Sequence, residues 1–430
     1  MPSILFEYDL SPGTWAWLSA LLTLGTFFKF RRFWSVRNLD LVGLIAFSPA
    51  ILLIFRGDLV RGFGWLFAVG ALFLIRLILD PIMVRRPLLE PNLNASGLTF
   101  TGAALMVFLV GSLLTNLPPE RLEHVLARRH TSSLASPGCV CFYYVASFAN
   151  APKAQVTQAP APWQYPTGAV QIALARSILI LTHLFLVLGI VLVGYRHFDN
   201  IHTGVAAASL YLLLPYTSQL AGRIDHVVPA ALLVWALVVY RRPVFSGLLA
   251  GLVAAIIFYP LFLLPLWCSF YWRRGLLRFL GGAAFALVGV VLLVVVLSGG
   301  VWRAWGQIGQ MFGSTVLDRA GSDGFWEFHE LPYRIPLLAA FAVLSASLGL
   351  WPAQKNFGTL LSCSAAVMLG CQFWHVHQGG LYMAWYMPVL VLTIFRPNLE
   401  DRVAVSAVIE VRTTWVGRLL AHVSRRRSTD

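Results

Sequence analysis

Long apolar segments recur along the whole chain and are separated by short polar or basic breaks. Because a helix needs roughly 20 apolar residues to cross the hydrocarbon core of a membrane, each such segment predicts a membrane span. The predicted spans are residues 15–30, 39–55, 62–79, 97–115, 168–194, 202–219, the stretch between 226 and 241, two short helices within 243–272, and then 279–297, 335–351, 357–373 and 380–395. The pattern predicts an all-α fold, a polytopic transmembrane helical bundle with about 13 spans.

Residues 219–275 define the topology most sharply. This stretch is apolar except at three charged clusters, Arg223–His226, Arg241–Arg242 and Arg273–Arg274. Charges near a bilayer centre cost roughly 2.5–3.5 kcal/mol, and short Arg-rich loops mark the cytoplasmic side, so both Arg pairs are predicted to face inside. The segment between them is too short for two full spans, which predicts a hairpin of two short helices broken at Tyr259-Pro260. Its tip would face outward, near Arg223–His226.

Composition excludes a soluble protein. Of the 430 residues, 58% are hydrophobic and only 12% are charged, and the mean hydropathy is +0.74. A water-facing surface needs far more charge than this. The net charge of +14 is interpreted as a set of cytoplasmic topology signals, so no nucleic-acid partner is predicted. The predicted location is the bacterial inner (plasma) membrane, with the N-terminus outside and the C-terminus cytoplasmic.

Two outer loops, residues 117–167 and 299–334, are longer than the other connections. Loops of this length inside a compact fold are usually functional or disordered. The first opens with Glu120 and Glu123, which lie three residues apart and so share one face of a helix. Two interpretations of these glutamates stay open. They are either catalytic carboxylates, or solvated acids whose charge complements the dipole at the start of a helix. The five cysteines form no pattern typical of disulfides or metal sites.

The segment that follows the Arg223–His226 cluster resembles the GT-C glycosyltransferases that use polyprenol-phosphate sugars, in particular the mannose-dependent, alpha-mannosyltransferase-like branch. The resemblance is carried by Arg241-Arg242-Pro243, then SGLLAGL, the Tyr259-Pro260 step and a second basic turn. Many of these enzymes have a Lys just before the aromatic-Pro step, where this chain has Ile257-Phe258. The resemblance implies a GT-C-like core over residues 97–395 with a large outer loop. Residues 1–96 would then be extra N-terminal transmembrane helices, and residues 396–430 a basic cytoplasmic tail.

The resemblance also implies roles for individual residues. Sugar transfer from a lipid-linked donor needs a carboxylate base and cationic or hydrogen-bonding groups around the departing phosphate. The implied catalytic residues are Glu120, Glu123 and Asp225, although an Asp beside Arg223 is also an ordinary structural ion pair. The implied substrate-binding residues are Arg223, His226, Tyr165, Tyr259, His329, Arg334, His375 and His377.

The leading prediction is a membrane glycosyltransferase that moves mannose or another hexose from a polyprenyl-phosphate donor to an unknown glycan, lipid or protein acceptor, with inversion. Its partners would be membrane lipid, donor and acceptor, and no cofactor is predicted beyond the donor itself. His375-x-His377 has no acidic or Cys neighbour in the sequence to complete a metal site, so no metal is predicted. The alternatives are a transporter or flippase of lipid-linked sugar, or a catalytically inactive GT-C-like scaffold. The scaffold is motivated by the missing Lys and by the absence of Asp from the first outer loop, where these enzymes most often have one. The absence of Walker, GxSxG and HExxH motifs argues against an ATPase, a lipase-like enzyme and a membrane zincin.

Overall fold

The described part of the chain is built from helices. The computed structural model describes residues 11–83, 89–115, 169–298, 300–302, 305, 324–353, 355–375 and 378–397. All regular secondary structure in these residues is helical. The α-helices are α1 (Pro12–Phe27), α2 (Val36–Phe55), α3 (Leu59–Leu79), α4 (Ala95–Thr115), α5 (Ala169–His197), α6 (Ile201–Leu213), α7 (Pro215–Gln219), α8 (Ile224–Val238), α9 (Pro243–Ile256), α10 (Leu264–Tyr271), α11 (Leu276–Ser298), α12 (Arg334–Leu350), α13 (Phe357–Gly370) and α14 (Met387–Phe395).

Five described segments are long and apolar enough to cross a membrane. They are Val36–Phe55, Leu59–Ile82, Ala95–Leu114, Arg176–His197 and Leu276–Val296, each of 20 to 24 residues. At about 1.5 Å per residue these lengths match a hydrocarbon core of roughly 30 Å. The predicted all-α fold with several membrane-length helices is therefore confirmed, whereas the count of thirteen crossings stays a prediction.

Local sequence signals set several helix starts. Ser35, Asp58, Asn200 and Asn356 each precede a helix and accept a hydrogen bond from a backbone N–H in its first turn. A side chain of this kind satisfies one of the backbone donors that a helix start leaves without an intrahelical acceptor.

Three of the short helices, α8, α13 and α14, lie in the interior of the described bundle. Every residue of α13 and α14 is buried, and so are twelve of the fifteen residues of α8. In contrast, the long helices expose large apolar side chains such as Phe100, Val107 and Phe285. An apolar outer surface around a packed interior is what a lipid environment favours.

The predicted hairpin is present as α9 and α10, joined by a 3-10 turn at Tyr259–Leu263. Its two basic ends adjoin, because a Cβ on Gly275 would lie 3.2 Å from the ring of Pro243. The Tyr271 hydroxyl also donates to the carbonyl of Tyr240 at 2.5 Å. Tyr259 lies beyond the far end of α9, as the hairpin interpretation requires.

Two predicted spans are interrupted. The segment 202–219 divides at Leu214-Pro215 into α6 and α7, since proline cannot donate the hydrogen bond that would continue the helix. The segment 380–395 contains only the nine-residue α14, preceded by a 3-10 turn at Met383–Trp385. Both interruptions lie close to the cluster of polar residues described below.

A buried ion cluster joins α2, α3 and the chain just after α14. Arg76 donates twice to Asp40, at 2.9 and 3.0 Å, and once to Asp80 at 2.8 Å. Arg396 also donates twice to Asp80, at 2.7 and 3.2 Å. The Arg37 guanidinium donates to the backbone carbonyls of Ile394 and Arg396. The N-terminal helices are thereby tied to the last described residues of the chain.

Candidate functional site

Arg223 and Asp225 form an ion pair at the start of α8. Arg223 Nε lies 3.4 Å from one carboxylate oxygen of Asp225, and Nη2 lies 3.2 Å from the other. Asp225 is in the first turn of α8, where the helix dipole favours a negative charge. Both side chains are buried, Asp225 to 3% exposure and Arg223 to 6%. This two-pronged contact fixes the orientation of the carboxylate.

His226 connects this pair to Tyr216. The imidazole Nδ1 lies 2.7 Å from the Tyr216 hydroxyl, and Nε2 lies 3.5 Å from Asp225 Oδ2. Tyr216 belongs to the short helix α7, whose separation from α6 at Leu214-Pro215 brings the tyrosine next to the start of α8. The His226 ring is fully buried.

The loop that follows α13 brings late residues to the same place. Gln378 Oε1 accepts a hydrogen bond from Arg223 Nη1 at 3.2 Å. His375 Nδ1 is hydrogen-bonded to the hydroxyl of Tyr259, at the tip of the α9–α10 hairpin. The loop is tightly folded, because Gly380 N donates to Gln372 Oε1 at 3.1 Å and a Cβ on Gly379 would lie 2.6 Å from the Gln372 carbonyl.

Aromatic rings fill the space between these polar groups. Tyr382 packs against His226 and His375 at ring distances of 4.5 and 4.8 Å, and the Arg223 guanidinium lies 5.6 Å from the Tyr382 ring centre. Trp385 packs 5.4 Å from Tyr259 and donates its indole N–H to the backbone carbonyl of Asp225 at 2.9 Å. The indole contact holds the first turn of α8 against the late loop.

Arg334, at the start of α12, completes one side of the cluster. Its Nε donates to the Trp374 carbonyl at 2.5 Å, and its guanidinium lies 5.9 Å from the Trp374 ring. Trp374 in turn packs 5.2 Å from Tyr259. Six of the predicted residues therefore meet in one place, which we call the polar cluster: Arg223, Asp225, His226, Tyr259, Arg334 and His375.

The remaining predicted residues do not belong to this group. His329 is exposed and stacks on Phe325 at 4.0 Å, with its Nδ1 bonded to the Phe325 carbonyl. Glu120, Glu123, Tyr165 and His377 lie outside the residues that the structure describes. Their predicted roles stay predictions.

Sequence reasoning missed Tyr216, Gln378, Tyr382 and Trp385. Aromatic residues near membrane surfaces are common, so the rings gave no distinguishing signal. The Leu214-Pro215 break is the one local feature that could have indicated Tyr216, since a proline there ends a helix just before the cluster.

An apolar crevice lies beside the hairpin tip. It is lined by residues of α9, α10, α11 and the 3-10 turn, among them Ala254, Pro260, Leu264, Trp267, Ala283 and Leu287. Pro260 directly follows Tyr259 of the polar cluster. A polar region and an apolar crevice thus adjoin at the same tip.

The polar cluster offers two guanidinium groups, one carboxylate and two imidazoles hydrogen-bonded to tyrosines. Such a set can bind an anion and can accept or hold a proton. Among the described residues, no group of three or more His, Cys, Asp or Glu side chains is arranged to hold a metal ion. No protein-family model, curated protein or solved structure matches this chain.

Proposed function

We propose that the chain is a GT-C-like membrane glycosyltransferase. It transfers a hexose, with mannose as the first choice, from a polyprenyl-phosphate donor to an acceptor at the outer membrane face, by a single inverting displacement. The observation that carries the proposal is the convergence of the six residues of the polar cluster. They were singled out from four separate parts of the sequence because of the chemistry that this reaction needs.

Such a transfer requires two kinds of group, and the polar cluster supplies the first of them. The departing lipid phosphate needs cations and hydrogen-bond donors, which Arg223 and Arg334 can provide. The acceptor hydroxyl needs a carboxylate base. In this proposal Glu120 or Glu123 is that base, and Asp225 is the second carboxylate of the site.

The apolar crevice supports a lipid-linked donor over a soluble one. A prenyl chain is wholly apolar, and burial of its methylene groups contributes roughly 0.8 kcal/mol each. With a short segment of the chain in the crevice beside Pro260, the phosphate would lie near Tyr259 and the rest of the polar cluster. The crevice would thus position the donor so that its phosphate lies next to the polar groups.

The proposed topology has thirteen crossings, with the N-terminus outside and the C-terminus cytoplasmic, in a bacterial inner membrane. The polar cluster then faces the outer leaflet. In this topology the ion cluster of Asp40, Arg76, Asp80 and Arg396 would face the inner side, together with the basic predicted inner loops.

The distribution of ionisable groups favours a transferase over a carrier. A carrier with alternating access needs a binding site near the membrane midplane that is reachable from both sides. Within the described membrane-length helices, His183 is buried, and its Nε2 lies 3.1 Å from the Ala221 carbonyl. That imidazole already has a backbone partner, and no chain of charged residues connects it to the other end of the described bundle.

A second candidate is a GT-C-like scaffold without catalytic activity. It is favoured by the burial of Asp225 and by its contact with Arg223, because an acid held in this way serves structure as well as chemistry. The two candidates differ in whether donor is consumed.

The test uses the full chain in proteoliposomes with a panel of radiolabelled polyprenyl-phosphate hexoses. A membrane extract of lipids, glycans and proteins serves as the acceptor pool, and the readouts are labelled product and remaining donor. We expect at least one of Glu120→Gln and Glu123→Gln to lower transfer by about 10²-fold or more, as the loss of a general base does. Arg176→Gln should act mainly through stability.

Other results would replace the proposal. Full transfer by both Glu variants, together with loss of lipid movement across the bilayer in Arg176→Gln, would establish the carrier. If the native chain folds and binds donor but neither consumes nor moves it, the scaffold replaces the enzyme.

A further inference from the structure

The loop between α1 and α2 is held in one shape by Asn38, which is 1% exposed. The Asn38 Nδ2 group donates to the carbonyls of Lys29, Arg32 and Phe33 at 2.9, 3.0 and 3.3 Å. Its Oδ1 accepts a hydrogen bond from the backbone N–H of Lys29 at 3.1 Å. These backbone groups are therefore satisfied from inside the protein, and the side chains of the loop are left to face outward.

A second asparagine fixes the end of α1 that leads into this loop. Asn92 Nδ2 donates to two carbonyls there at 3.0 and 3.1 Å, and its Oδ1 accepts from Lys29 Nζ at 3.0 Å. Phe28 is buried, and its ring packs 5.1 Å from Phe30 and 5.4 Å from Phe33. The rings on the outer side of the loop are thus positioned by contacts beneath them.

The outer side of the loop combines arginines with aromatic rings. Phe30, Phe33 and Trp34 are 75%, 57% and 80% exposed, and Arg31 and Arg32 are exposed beside them. Among the described residues, no carboxylate lies within ion-pair distance of either guanidinium. We call these five residues the aromatic–arginine patch. It presents two cations and three apolar surfaces on a backbone that is already ordered.

The patch lies at one end of a helix of membrane length. Helix α2 begins at Val36, two residues after Trp34, and it is one of the described segments long and apolar enough to cross a bilayer. With α2 in a membrane, the patch lies where hydrocarbon gives way to lipid headgroups. Tryptophan is enriched at that level, and the planar guanidinium of arginine matches the geometry of a phosphate. A lipid surface therefore suits both kinds of side chain.

We propose that the aromatic–arginine patch binds anionic phospholipid headgroups in the leaflet beside the start of α2. Arg31 and Arg32 bind lipid phosphates, while the three rings lie between the headgroups and the upper acyl chains. A lipid with a net negative headgroup neutralises both cations, whereas the ammonium group of a zwitterionic lipid competes with them for the phosphate. This binding does not depend on sugar transfer, so failure of the proposed function would leave it unaffected.

The first experiment uses the native full chain in phosphatidylcholine nanodiscs. A small share of phosphatidylglycerol with a photoreactive group in its headgroup is added, and mass spectrometry maps the residues that it labels. We expect adducts at residues 30–34 that unlabelled phosphatidylglycerol displaces, and that inorganic phosphate or extra phosphatidylcholine does not. Adducts confined to other parts of the chain would mean that something else covers the patch, and would overturn the proposal. Equal displacement by phosphatidylcholine would also overturn it.

The second experiment repeats this displacement with Arg31→Gln combined with Arg32→Gln. Each arginine near an anionic surface contributes about fivefold in affinity, so the phosphatidylglycerol needed to displace the label should rise roughly 30-fold. The matched control is Arg56→Gln combined with Arg61→Gln, which removes the same charge from two exposed arginines at the turn between α2 and α3.

Displacement in this control should match that of the native chain. If both double variants show the same rise, the lipid responds to net charge and the patch is not a binding surface. No rise in the patch variant would likewise end the proposal. Thermal unfolding without phosphatidylglycerol should give native values for both variants, since all four positions are exposed.

Discussion

At the scale of single residues, the pair of Arg223 and Asp225 decides how the polar cluster is held. Two charges taken out of water are expensive, and their attraction offsets this only when both stay in place. The contact is buried, is made through two nitrogens, and is extended by the hydrogen bond from Arg223 to Gln378. Loss of one partner should therefore lower the free energy of unfolding more than loss of both.

This can be tested with Arg223→Met and with Arg223→Met combined with Asp225→Leu. The single change leaves a buried carboxylate without its main cation and should lower the free energy of unfolding by about 3–5 kcal/mol. The double change should recover part of that loss. Thermal unfolding in detergent, followed by tryptophan fluorescence, measures both.

The exposed pair of Arg61 and Asp58 provides the control. Its charged atoms are 3.5 Å apart at the surface, where ion pairs contribute little. Arg61→Met should leave the unfolding temperature almost unchanged. An equally large drop for Arg61→Met would mean that burial is not what makes the Arg223 pair important.

Much of the polar cluster was predictable at this scale because a charge in an apolar stretch stands out. Arg223, Asp225 and His226 interrupt a hydrophobic run, and His375 follows a buried helix. Tyr382 and Trp385 were not predictable, because their importance lies in which rings they touch rather than in their residue type. That depends on how the late loop folds back, for which no local pattern exists.

At the scale of elements, the seam between α9 and α11 depends on glycine. A Cβ on Gly247 would lie 2.0 Å from the Phe279 carbonyl, and one on Gly251 would lie 2.4 Å from the Ala283 carbonyl. From the other side, a Cβ on Gly282 would lie 2.2 Å from the Val244 carbonyl. Small residues at helix interfaces are the usual way for backbones to approach closely in membranes.

Gly282→Ala should therefore separate α9 from α11 and destabilise the protein. We expect a loss of about 1–3 kcal/mol, the usual effect of overpacking a tight interface. Thermal unfolding gives the stability, and donor consumption shows whether the adjoining crevice is disturbed.

The neighbouring Gly281→Ala is a matched control on the same helix. A Cβ on Gly281 meets nothing within 4 Å. Because alanine favours a helix over glycine by roughly 0.8–1.0 kcal/mol, this change should be neutral or stabilising. If both changes destabilise equally, the close approach at Gly282 is not the cause.

Helices were predictable where length and apolar character agreed. The segment 62–79 is observed as Leu59–Leu79, and 335–351 as Arg334–Leu350. The segment 380–395 differs because its first half is held by aromatic packing around Met383–Trp385 rather than by helical hydrogen bonds. Apolar composition alone cannot distinguish these two ways of burying a chain.

At the scale of the whole molecule, α3 connects the buried ion cluster to the loop that follows α13. Asp80, just past the C-terminal end of α3, binds Arg396, while Phe67, near the middle of the helix, stacks on Phe325 at 3.9 Å and packs against Phe373 at 5.2 Å. The division of the chain at residue 96 stays a prediction. The helices before it nevertheless support the loop that carries His375.

Arg396→Gln tests this connection. It removes both Arg396 contacts to Asp80, while Arg76 stays bound to the same carboxylate, so it should lower the free energy of unfolding by less than the roughly 3–5 kcal/mol that a buried charge left unpaired costs. Arg31→Gln, at an exposed position, is the control and should have no such effect. Thermal unfolding measures both, and a drop confined to Arg396→Gln is the expected result.

The contact of Asp80 with Arg396 spans 316 residues of sequence, which has a consequence for biogenesis. At about 5–20 residues per second, the ribosome needs roughly 15–60 s to reach Arg396 after it has added Asp80. In that interval Arg76, one helical turn away, is already in place to bind the acid as it does in the finished protein. The contact that ties the end of α3 to the chain after α14 can therefore form only once α14 has been made, and factors that protect inserted but unfinished helices would act before that point.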